Sequence, residues 1–140
     1  MSPREYVCIL ARKLLVSTNG GSIWSAPAVP TAQYLYGDTC ASGSVCIAVG
    51  GNGAIVATTN GGTTWAAQSS GTPAFLRAAG CLSESACAAV GDGGVIVATA
   101  KGGSTWSLQS SGTTADLRGV ACAGTSCYAV GLSGTILRYN

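Results

Sequence analysis

The sequence predicts an all-β protein that is built from a repeated four-stranded unit. The segment Gly-Gly-x-x-Trp occurs three times, and its tryptophans, Trp24, Trp65 and Trp106, are 41 residues apart. The runs between these segments are short, rich in Val, Ile and Ala, and separated by Gly-rich turns, with no apolar period of 3.6 residues. A repeat of about 40 residues is typical of architectures in which each unit buries its apolar face against the next unit.

The central unit shows all four strands of the repeat. Its first strand is predicted over Phe75–Cys81, its second over Ala86–Gly91, its third over Val95–Thr99 and its fourth around Trp106. Four antiparallel strands in about 40 residues predict the blade of a β-propeller. A β-solenoid would need a shorter period, and an immunoglobulin-type sandwich would not repeat its sequence every four strands.

The whole chain is predicted to hold about 3.5 repeats with 14 strands in a single repeat domain. The predicted units are a partial blade at 1–31, complete blades at 32–72 and 73–113, and a partial blade at 114–140. Incomplete blades leave open sheet edges, which favour pairing with another chain. Three alternatives remain: a piece of a longer protein, a small four-bladed ring, or several copies that complete a larger ring. We favour association through the terminal blades.

Six of the seven cysteines form pairs that the repeat places on neighbouring strands. Facing residues of an antiparallel pair have Cα atoms ~4.5–5.5 Å apart, which suits a disulfide. We therefore predict disulfides rather than free thiols or a zinc site, because zinc sites use tighter spacings and usually recruit His, which the chain lacks. Disulfides indicate an oxidising, extracytoplasmic compartment. The predicted pairs are Cys40 with Cys46, Cys81 with Cys87, and Cys122 with Cys127.

The N-terminal segment contains the seventh cysteine, Cys8, which aligns with the second member of a pair. It is a buried thiol, one half of an intermolecular bridge, or a cysteine whose partner has been lost upstream. The apolar run around it is short and broken by Arg12 and Lys13, so we expect no signal peptide in this segment. The sequence has no window of 18 apolar residues, so we expect no transmembrane helix.

The charge of the chain is low, with seven basic and five acidic residues spread along it. Nucleic-acid binding needs a basic stripe, so we expect no nucleic-acid partner. Without His there is no Ser-His or Cys-His nucleophile, and no Gly-rich loop is followed by Lys and Ser or Thr in the phosphate-binding pattern. We predict a protein that is not an enzyme and that uses no metal or cofactor.

The three Gly-Gly-x-x-Trp segments resemble a known motif when their preceding residues are included. Residues 17–24, 58–65 and 99–106 resemble the Asp-box, or BNR repeat, Ser/Thr-x-Asp-x-Gly-x-Thr-Trp, of sialidases and sortilin-type receptors. The longer pattern from Trp106 to Leu137 is similar to the Ycf48/HCF136-type propellers, a family of photosystem II assembly factors. This resemblance implies a propeller with a role in protein binding or assembly, and a structural role for the box.

Within the box, the third position has a defined chemical task. An acidic or amide side chain there accepts hydrogen bonds from N–H groups of the turn, which Asn19 and Asn60 can do and Lys101 cannot. The tryptophans are expected to pack into the blades. A sialidase would need an arginine triad and a Tyr–Glu pair, whereas the chain has only two glutamates. The predicted structural set is Asn19, Trp24, Asn60, Trp65 and Trp106.

The candidate ligand-binding residues are predicted at one mouth of the central channel. Tyr36, Arg77 and Arg118 each lie four residues before the first Cys of a pair, at the start of the innermost strand. Asn52 and Asp92 lie in turns that should line the same mouth. The arginines either pair with nearby aspartates in a solvated channel, or bind an anionic peptide segment or a sugar.

Three functions are compatible with these residues. The favoured function is a non-catalytic binding or assembly module, outside the cytoplasm, that contacts a protein partner or itself as a homo-oligomer. The alternatives are a multivalent carbohydrate-binding propeller and a self-assembling structural surface protein. A lectin needs exposed aromatic side chains that repeat around a rim, and only Tyr34, Tyr36 and Phe75 are available. Protein binding is therefore preferred to glycan binding.

Overall fold

The computed structural model describes residues 6–10, 13–17 and 19–139, with side chains for 13–17 and 19–138. In these residues the chain forms antiparallel sheets of two, four, four and three strands, in that order along the chain. Each sheet pairs its strands in sequence order, so every connection within a sheet is a hairpin. The predicted all-β fold of repeated four-stranded units is confirmed.

The strand bounds follow the repeat. The first sheet holds β1 (Tyr6–Leu10) and β2 (Lys13–Ser17). The second sheet holds β3 (Leu35–Cys40), β4 (Cys46–Gly50), β5 (Ala54–Thr58) and β6 (Ala66–Ser69). The third sheet holds β7 (Leu76–Cys81), β8 (Cys87–Gly91), β9 (Ile96–Thr99) and β10 (Ser107–Gln109). The fourth sheet holds β11 (Leu117–Ala123), β12 (Ser126–Gly131) and β13 (Ile136–Tyr139).

The third strand expected in the first sheet is reduced to a single bridge. Val16 and Ser25 exchange two backbone hydrogen bonds, of 2.8 and 2.9 Å, but no ladder continues from them. The described residues therefore form 13 strands and one bridge rather than the 14 strands expected. Ala26, Pro27 and Pro30 follow the bridge, and a proline cannot donate to a ladder.

The first strands of the later sheets lie side by side, with β7 between β3 and β11. Glycine makes this approach possible. A Cβ on Gly37 of β3 would lie 2.7 Å from the Arg77 oxygen and 3.0 Å from the Ala78 Cα. A Cβ on Gly80 of β7 would lie 2.9 Å from the Cys122 Sγ. At Gly37 and Gly80 the neighbouring first strands therefore pack too closely for a residue with a side chain.

Apolar layers fill the spaces between successive sheets. Between the second and third sheets, Ile47, Val49 and Ile55 face Ala89 and Val97, and all five are at most 4% exposed. Small side chains such as Ala and Val suit this close spacing. Full burial of each Val or Ile stabilises the fold by roughly 1.5–3 kcal/mol relative to leaving it exposed. Related layers lie between the first and second sheets and between the third and fourth sheets.

Two of the three tryptophans complete these layers, and the third does not. Trp65 and Trp106 are 8% and 9% exposed, and each lies in a cluster with apolar side chains of the preceding sheet. Trp24 is 40% exposed, so the expectation that all three tryptophans are buried in the blades is wrong.

The turn before each tryptophan is held by side-chain hydrogen bonds. The hydroxyls of Ser17, Thr58 and Thr99 accept the N–H of the second glycine at 2.9, 3.0 and 3.0 Å. The Oδ1 of Asn19 accepts the Ile23 N–H at 2.9 Å, and that of Asn60 accepts the Thr64 N–H at 3.0 Å. These bonds fix the glycines at positive φ.

Three disulfides join the first two strands of the later sheets, and the cysteines of every pair face each other in the ladder. The Cα atoms are 4.0 Å apart in each pair, slightly closer than expected for facing strands. The side chain of Cys8 lies outside the described part of the chain. The disulfide pairs are Cys40–Cys46, Cys81–Cys87 and Cys122–Cys127.

We expect the Cys81→Ala, Cys87→Ala double variant to lose about 2 kcal/mol of unfolding free energy, because opening the short loop increases the entropy of the unfolded chain. Urea denaturation without reductant measures this loss. Adding reductant to the wild-type protein opens all three loops and should produce a larger loss. Equal stability of the double variant and the wild-type protein would contradict the prediction.

One carboxyl group lies among the inner strands. Asp38 on β3 faces Ala48 across the ladder and is half-buried. Its repeat equivalents are Ala79 and Val120, so a carboxyl replaces a small apolar side chain. Burial raises the pKa of Asp38 above its ordinary value.

The raised pKa predicts how stability depends on pH. The stability that protonated Asp38 contributes is complete below its unfolded pKa and is lost as pH rises through its higher folded pKa. Asp38→Asn should therefore raise the melting temperature at pH 7 and change it less at pH 3, where the wild-type carboxyl is protonated. Thermal melts at the two pH values test this. A variant that is less stable at pH 7 would show that the carboxylate has a compensating partner.

Candidate functional site at the bulge-lined rim

The predicted channel residues lie at β-bulges. The first strand of each later sheet shifts register once, so one residue is left out of its ladder. A bulge bends the strand and redirects the side chain of the extra residue. Because the shift recurs at the same repeat position, the three side chains lie at the same end of their sheets. The extra residues are Tyr36 on β3, Arg77 on β7 and Arg118 on β11.

A tight turn meets each bulge. The second strand of each later sheet ends at a glycine, after which comes a short 3₁₀ turn: Gly51–Gly53, Asp92–Gly94 or Leu132–Gly134. In the third sheet the Asp92 N–H donates to the Phe75 carbonyl at 2.9 Å. A Cβ on Gly91 would overlap that carbonyl, so the contact requires glycine. The turn and the bulge therefore form one rim.

Arg77 is the centre of this rim. Its Nε donates to Asp92 Oδ1 at 2.9 Å, and its Nη2 donates to Asp92 Oδ2 at 2.8 Å. The guanidinium carbon lies 4.8 Å from the ring centroid of Tyr36 and 5.4 Å from that of Phe75. The two rings are stacked at 6.0 Å. Arg77 is thus oriented by a bidentate ion pair and two cation–π contacts.

The ion pair fixes the charge of both groups. Hydrogen bonding from Arg77 holds the pKa of Asp92 below its ordinary value, and the bond to Asp92 raises the pKa of Arg77. Both side chains are partly exposed, at 25% and 33%, so solvent screens their attraction. The ion pair therefore acts mainly by orienting the Arg77 side chain.

A second pair continues the rim toward the fourth sheet. Asp116 Oδ1 accepts the Gly93 N–H at 2.8 Å, which joins the turn of the third sheet to the residue just before β11. Arg118 Nη2 lies 3.5 Å from Asp116 Oδ2, a looser contact than the Arg77 pair, and its side chain is 51% exposed. Arg118 therefore keeps most of its five donors available.

We name these residues the rim cluster. Two arginines face two aspartates, so the cluster has no net formal charge and differs from a basic ring that would attract anions from a distance. Its members are Tyr36, Phe75, Arg77, Asp92, Asp116 and Arg118.

The structure brings four of the five predicted ligand residues into the cluster. Asn52 lies instead in the turn of the second sheet, exposed and with φ of 57°, and its neighbour Gly51 is next to the Phe75 ring. Phe75 and Asp116 were not among the predicted ligand residues. Both directly precede the buried Leu that begins a first strand, the position of Tyr34, and this shared position is the signal that could have identified them.

An apolar cavity lies beside the second sheet. It has a volume of about 300 Å³ and lies between β2 and the segment that leads into β3. Tyr34, which is 57% exposed, and Leu35 form one side of it, and Val29 and Pro27 form another. The cavity is large enough for one apolar side chain of a ligand.

The described residues contain no group of three or more His, Cys, Asp or Glu that could hold a metal ion. Six cysteines are in disulfides and so cannot serve as nucleophiles. Glu84 accepts a hydrogen bond of 2.7 Å from the Ser42 hydroxyl. No helix in the part of the chain that the structure describes is long and apolar enough to cross a membrane.

Adjacent first strands, packed sheet faces and a rim of bulges and turns define the protein as a β-propeller. No protein-family model matches the sequence, and no curated protein matches it. Solved structures do match. The chain is similar to YCF48 bound to D1 peptide, with a TM-score of 0.69 and 20% identity, over 79% of this chain and 38% of that one.

Two further structures extend the comparison. YCF48 from Cyanidioschyzon merolae matches with a TM-score of 0.68 and 20% identity, over 79% of this chain and 38% of that one. Virginiamycin B lyase from Staphylococcus aureus matches with a TM-score of 0.66 and 15% identity, over 93% of this chain and 49% of that one. The chain spans less than half of each of these three proteins. At such identities the likeness shows the fold.

We expect Arg77→Ala to lower the unfolding free energy by about 1 kcal/mol at pH 7, through loss of the ion pair and the cation–π contacts. The folded pKa of Asp92 is lowered. The contribution of the ion pair to the unfolding free energy is therefore present above the unfolded pKa of Asp92 and is lost as pH falls through the folded pKa. The difference between variant and wild type should therefore shrink at pH 2. Urea denaturation at both pH values tests this.

Arg118→Ala is the matched control, because its contact with Asp116 is longer and more exposed. It should change stability less than Arg77→Ala does. An NMR titration of Arg77→Ala should also show the pKa of Asp92 rising toward its ordinary value. A larger loss for Arg118→Ala would contradict the assignment of Arg77 as the centre of the cluster.

Proposed function

We propose that this protein is a non-catalytic propeller module that binds a polypeptide segment at the rim cluster. The observation that supports this best is the orientation of Arg77 between two aromatic rings and a carboxylate. Interfaces whose binding energy is concentrated in Arg and aromatic anchors are typical of protein recognition. A side chain that is already oriented loses little entropy when a ligand binds.

The exposed members of the rim supply the contacts. Arg118 can donate to a carboxylate or to main-chain carbonyls of a peptide. Phe75, at 42% exposure, offers ring surface for apolar side chains. The neutral cluster favours a peptide that carries one acidic group among apolar residues over a long polyanion.

The comparisons support a peptide ligand indirectly. One similar structure is a propeller bound to a peptide, which shows that this fold can hold one. The lyase shows that the fold can also carry catalysis. We nevertheless propose a binding role, because both carboxylates of the rim cluster, Asp92 and Asp116, are held in ion pairs with Arg77 and Arg118.

We further propose that the protein acts outside the cytoplasm. Three hairpin disulfides persist in oxidising compartments and are rare where glutathione keeps thiols reduced. This proposal concerns location and is independent of the ligand.

Glycan binding is the second candidate, since exposed aromatic rings also stack on sugars. The rim favours it less, because the aromatic position occupied by Tyr34 and Phe75 is Asp116 in the fourth sheet. The platform therefore does not repeat from sheet to sheet, as a multivalent lectin would require.

A phage-displayed random peptide library, selected on the immobilised chain, and a glycan array distinguish the two candidates. We expect selected peptides to bind, and Phe75→Ala or Arg118→Ala to weaken them at least tenfold, about 1.4 kcal/mol. Lys101→Ala is the control, because this exposed residue lies in the turn before Trp106, away from the rim. Sugar binding that is lost in the Arg77→Ala, Arg118→Ala double variant, without any selected peptide, would overturn the proposal.

A further inference from the structure

Three asparagines of the sequence are each followed directly by a glycine: Asn19, Asn52 and Asn60. At such a step the backbone nitrogen of glycine can attack the side-chain amide carbon of asparagine, because glycine has no side chain that obstructs the approach. Asparagine is accordingly one of the thermolabile residue types. All three asparagines are exposed, so solvent access does not distinguish them. Their hydrogen bonds do.

Hydrogen bonds fix both Asn60 and the glycine that follows it. The Oδ1 of Asn60 accepts the Thr58 hydroxyl at 2.8 Å and the Thr64 N–H at 3.0 Å. Its Nδ2 donates to the Thr64 hydroxyl at 2.7 Å. The nitrogen of Gly61, which would be the nucleophile, donates its N–H to the Ser44 carbonyl at 3.0 Å. The attack on Asn60 therefore requires several bonds to break first.

The side chain of Asn19 is held in a similar way. Its Oδ1 accepts the Ser17 hydroxyl and the Ile23 N–H, both at 2.9 Å. Each of these bonds contributes a modest net stabilisation, but both must be lost before the carboxamide can turn toward the nitrogen of Gly20. The bonds that shape the turns before Trp24 and Trp65 thus also protect their asparagines.

Asn52 lacks this protection. It lies in the 3₁₀ turn Gly51–Gly53 with φ of 57°, and its carboxamide makes no hydrogen bond to any other residue that the structure describes. The hydrogen bonds of a 3₁₀ turn have poorer geometry than those of an α-helix, so such a turn opens at low cost. The turn belongs to the second sheet and borders the third, since a Cβ on Gly51 would lie 3.8 Å from the Phe75 ring.

We propose that Asn52 is a deamidation site whose conversion to a carboxylate changes the charge of the rim. The Gly53 nitrogen attacks the Cγ of Asn52, and the bond from Cγ to Nδ2 breaks. The Gly53 N–H proton is transferred to the leaving nitrogen, which departs as ammonia, and a cyclic imide remains. Water then opens the imide at one of its two carbonyls and yields aspartate or isoaspartate. Water is the one co-reactant of the sequence.

The new charge lies next to the rim cluster, which has two arginines, two aspartates and no net formal charge. The repeat position of Asn52 is Gly93 in the third sheet, and the Gly93 N–H donates to Asp116 of the cluster. A carboxylate at position 52 therefore makes the rim negative, beside Phe75. This consequence rests on the proposed peptide binding: a peptide with an acidic group should bind the converted protein more weakly, because like charges repel.

Peptide mapping by mass spectrometry tests the modification without any ligand. The folded protein is incubated at pH 8, and fragmentation of its peptides assigns each mass increase to one asparagine and separates isoaspartate from aspartate. We expect Asn52 to convert at least about tenfold faster than Asn19 and Asn60, because only those two must first break side-chain hydrogen bonds. In urea, with the cysteines reduced and capped, the three should convert at similar rates, because the folded turns that distinguish them are lost.

The control variant is Asn52→Ser, because Ser133 occupies the same repeat position in the fourth sheet with φ of 59°. This variant should keep the melting temperature of the wild-type protein and gain no charge in the turn. Its conversion at Asn19 and Asn60 should stay as slow as in the wild-type protein. If Asn52 of the folded wild-type protein converts no faster than Asn60, the proposal is overturned.

Asn52→Asp carries the charge of the product and measures the effect on the rim. Selected peptides with an acidic group should bind it about two- to fivefold more weakly than they bind Asn52→Ser, which is the range for an exposed charge pair. The difference should shrink at high salt. Equal affinities would overturn the effect on the rim. A failure to select any peptide would overturn the proposed function alone, because the conversion rates are measured without a ligand.

Discussion

The close approach of the inner strands is the constraint on which the rest of the structure depends. A Cβ on Gly37 would collide with the backbone of β7, so the second and third sheets reach their spacing only because glycine occupies that position. This spacing is what small side chains such as Ala89 and Val97 can fill without voids. It also decides which side chains of different sheets can touch at the rim.

The rim cluster follows from that spacing together with the bulges. Arg77 belongs to the third sheet, yet one of its aromatic contacts, Tyr36, belongs to the second. Asp116 precedes the fourth sheet and accepts a hydrogen bond from the turn of the third. Each contact joins neighbouring sheets, so the cluster exists only when the sheets are packed. The geometry of the cluster is therefore a property of the packed sheets rather than of any single sheet.

Repetition made much of the fold predictable from sequence. Each repeat contains a strand, a hairpin with paired cysteines, a Gly turn and a tryptophan at the same positions. The pairing of Cys81 with Cys87 could therefore be predicted from the antiparallel pairing of two neighbouring strands. The bulges were not predictable, since a register shift depends on how a strand meets its partner rather than on its residues alone. Trp24 shares its motif with Trp65 and yet is exposed, so the motif alone does not decide whether the ring is buried.

The sequence by itself determined the repeat, the all-β class, the three disulfides and the low charge, because these depend on local spacing and composition. Only the tertiary structure decided that Arg77 pairs with Asp92, that Arg118 remains exposed, and that the rim has no net charge. It also decided that Ile136 is exposed whereas Ile55 is buried at the same repeat position. The physical reason is that burial at a repeat position depends on which other sheet packs against it, and neither local spacing nor composition specifies that packing.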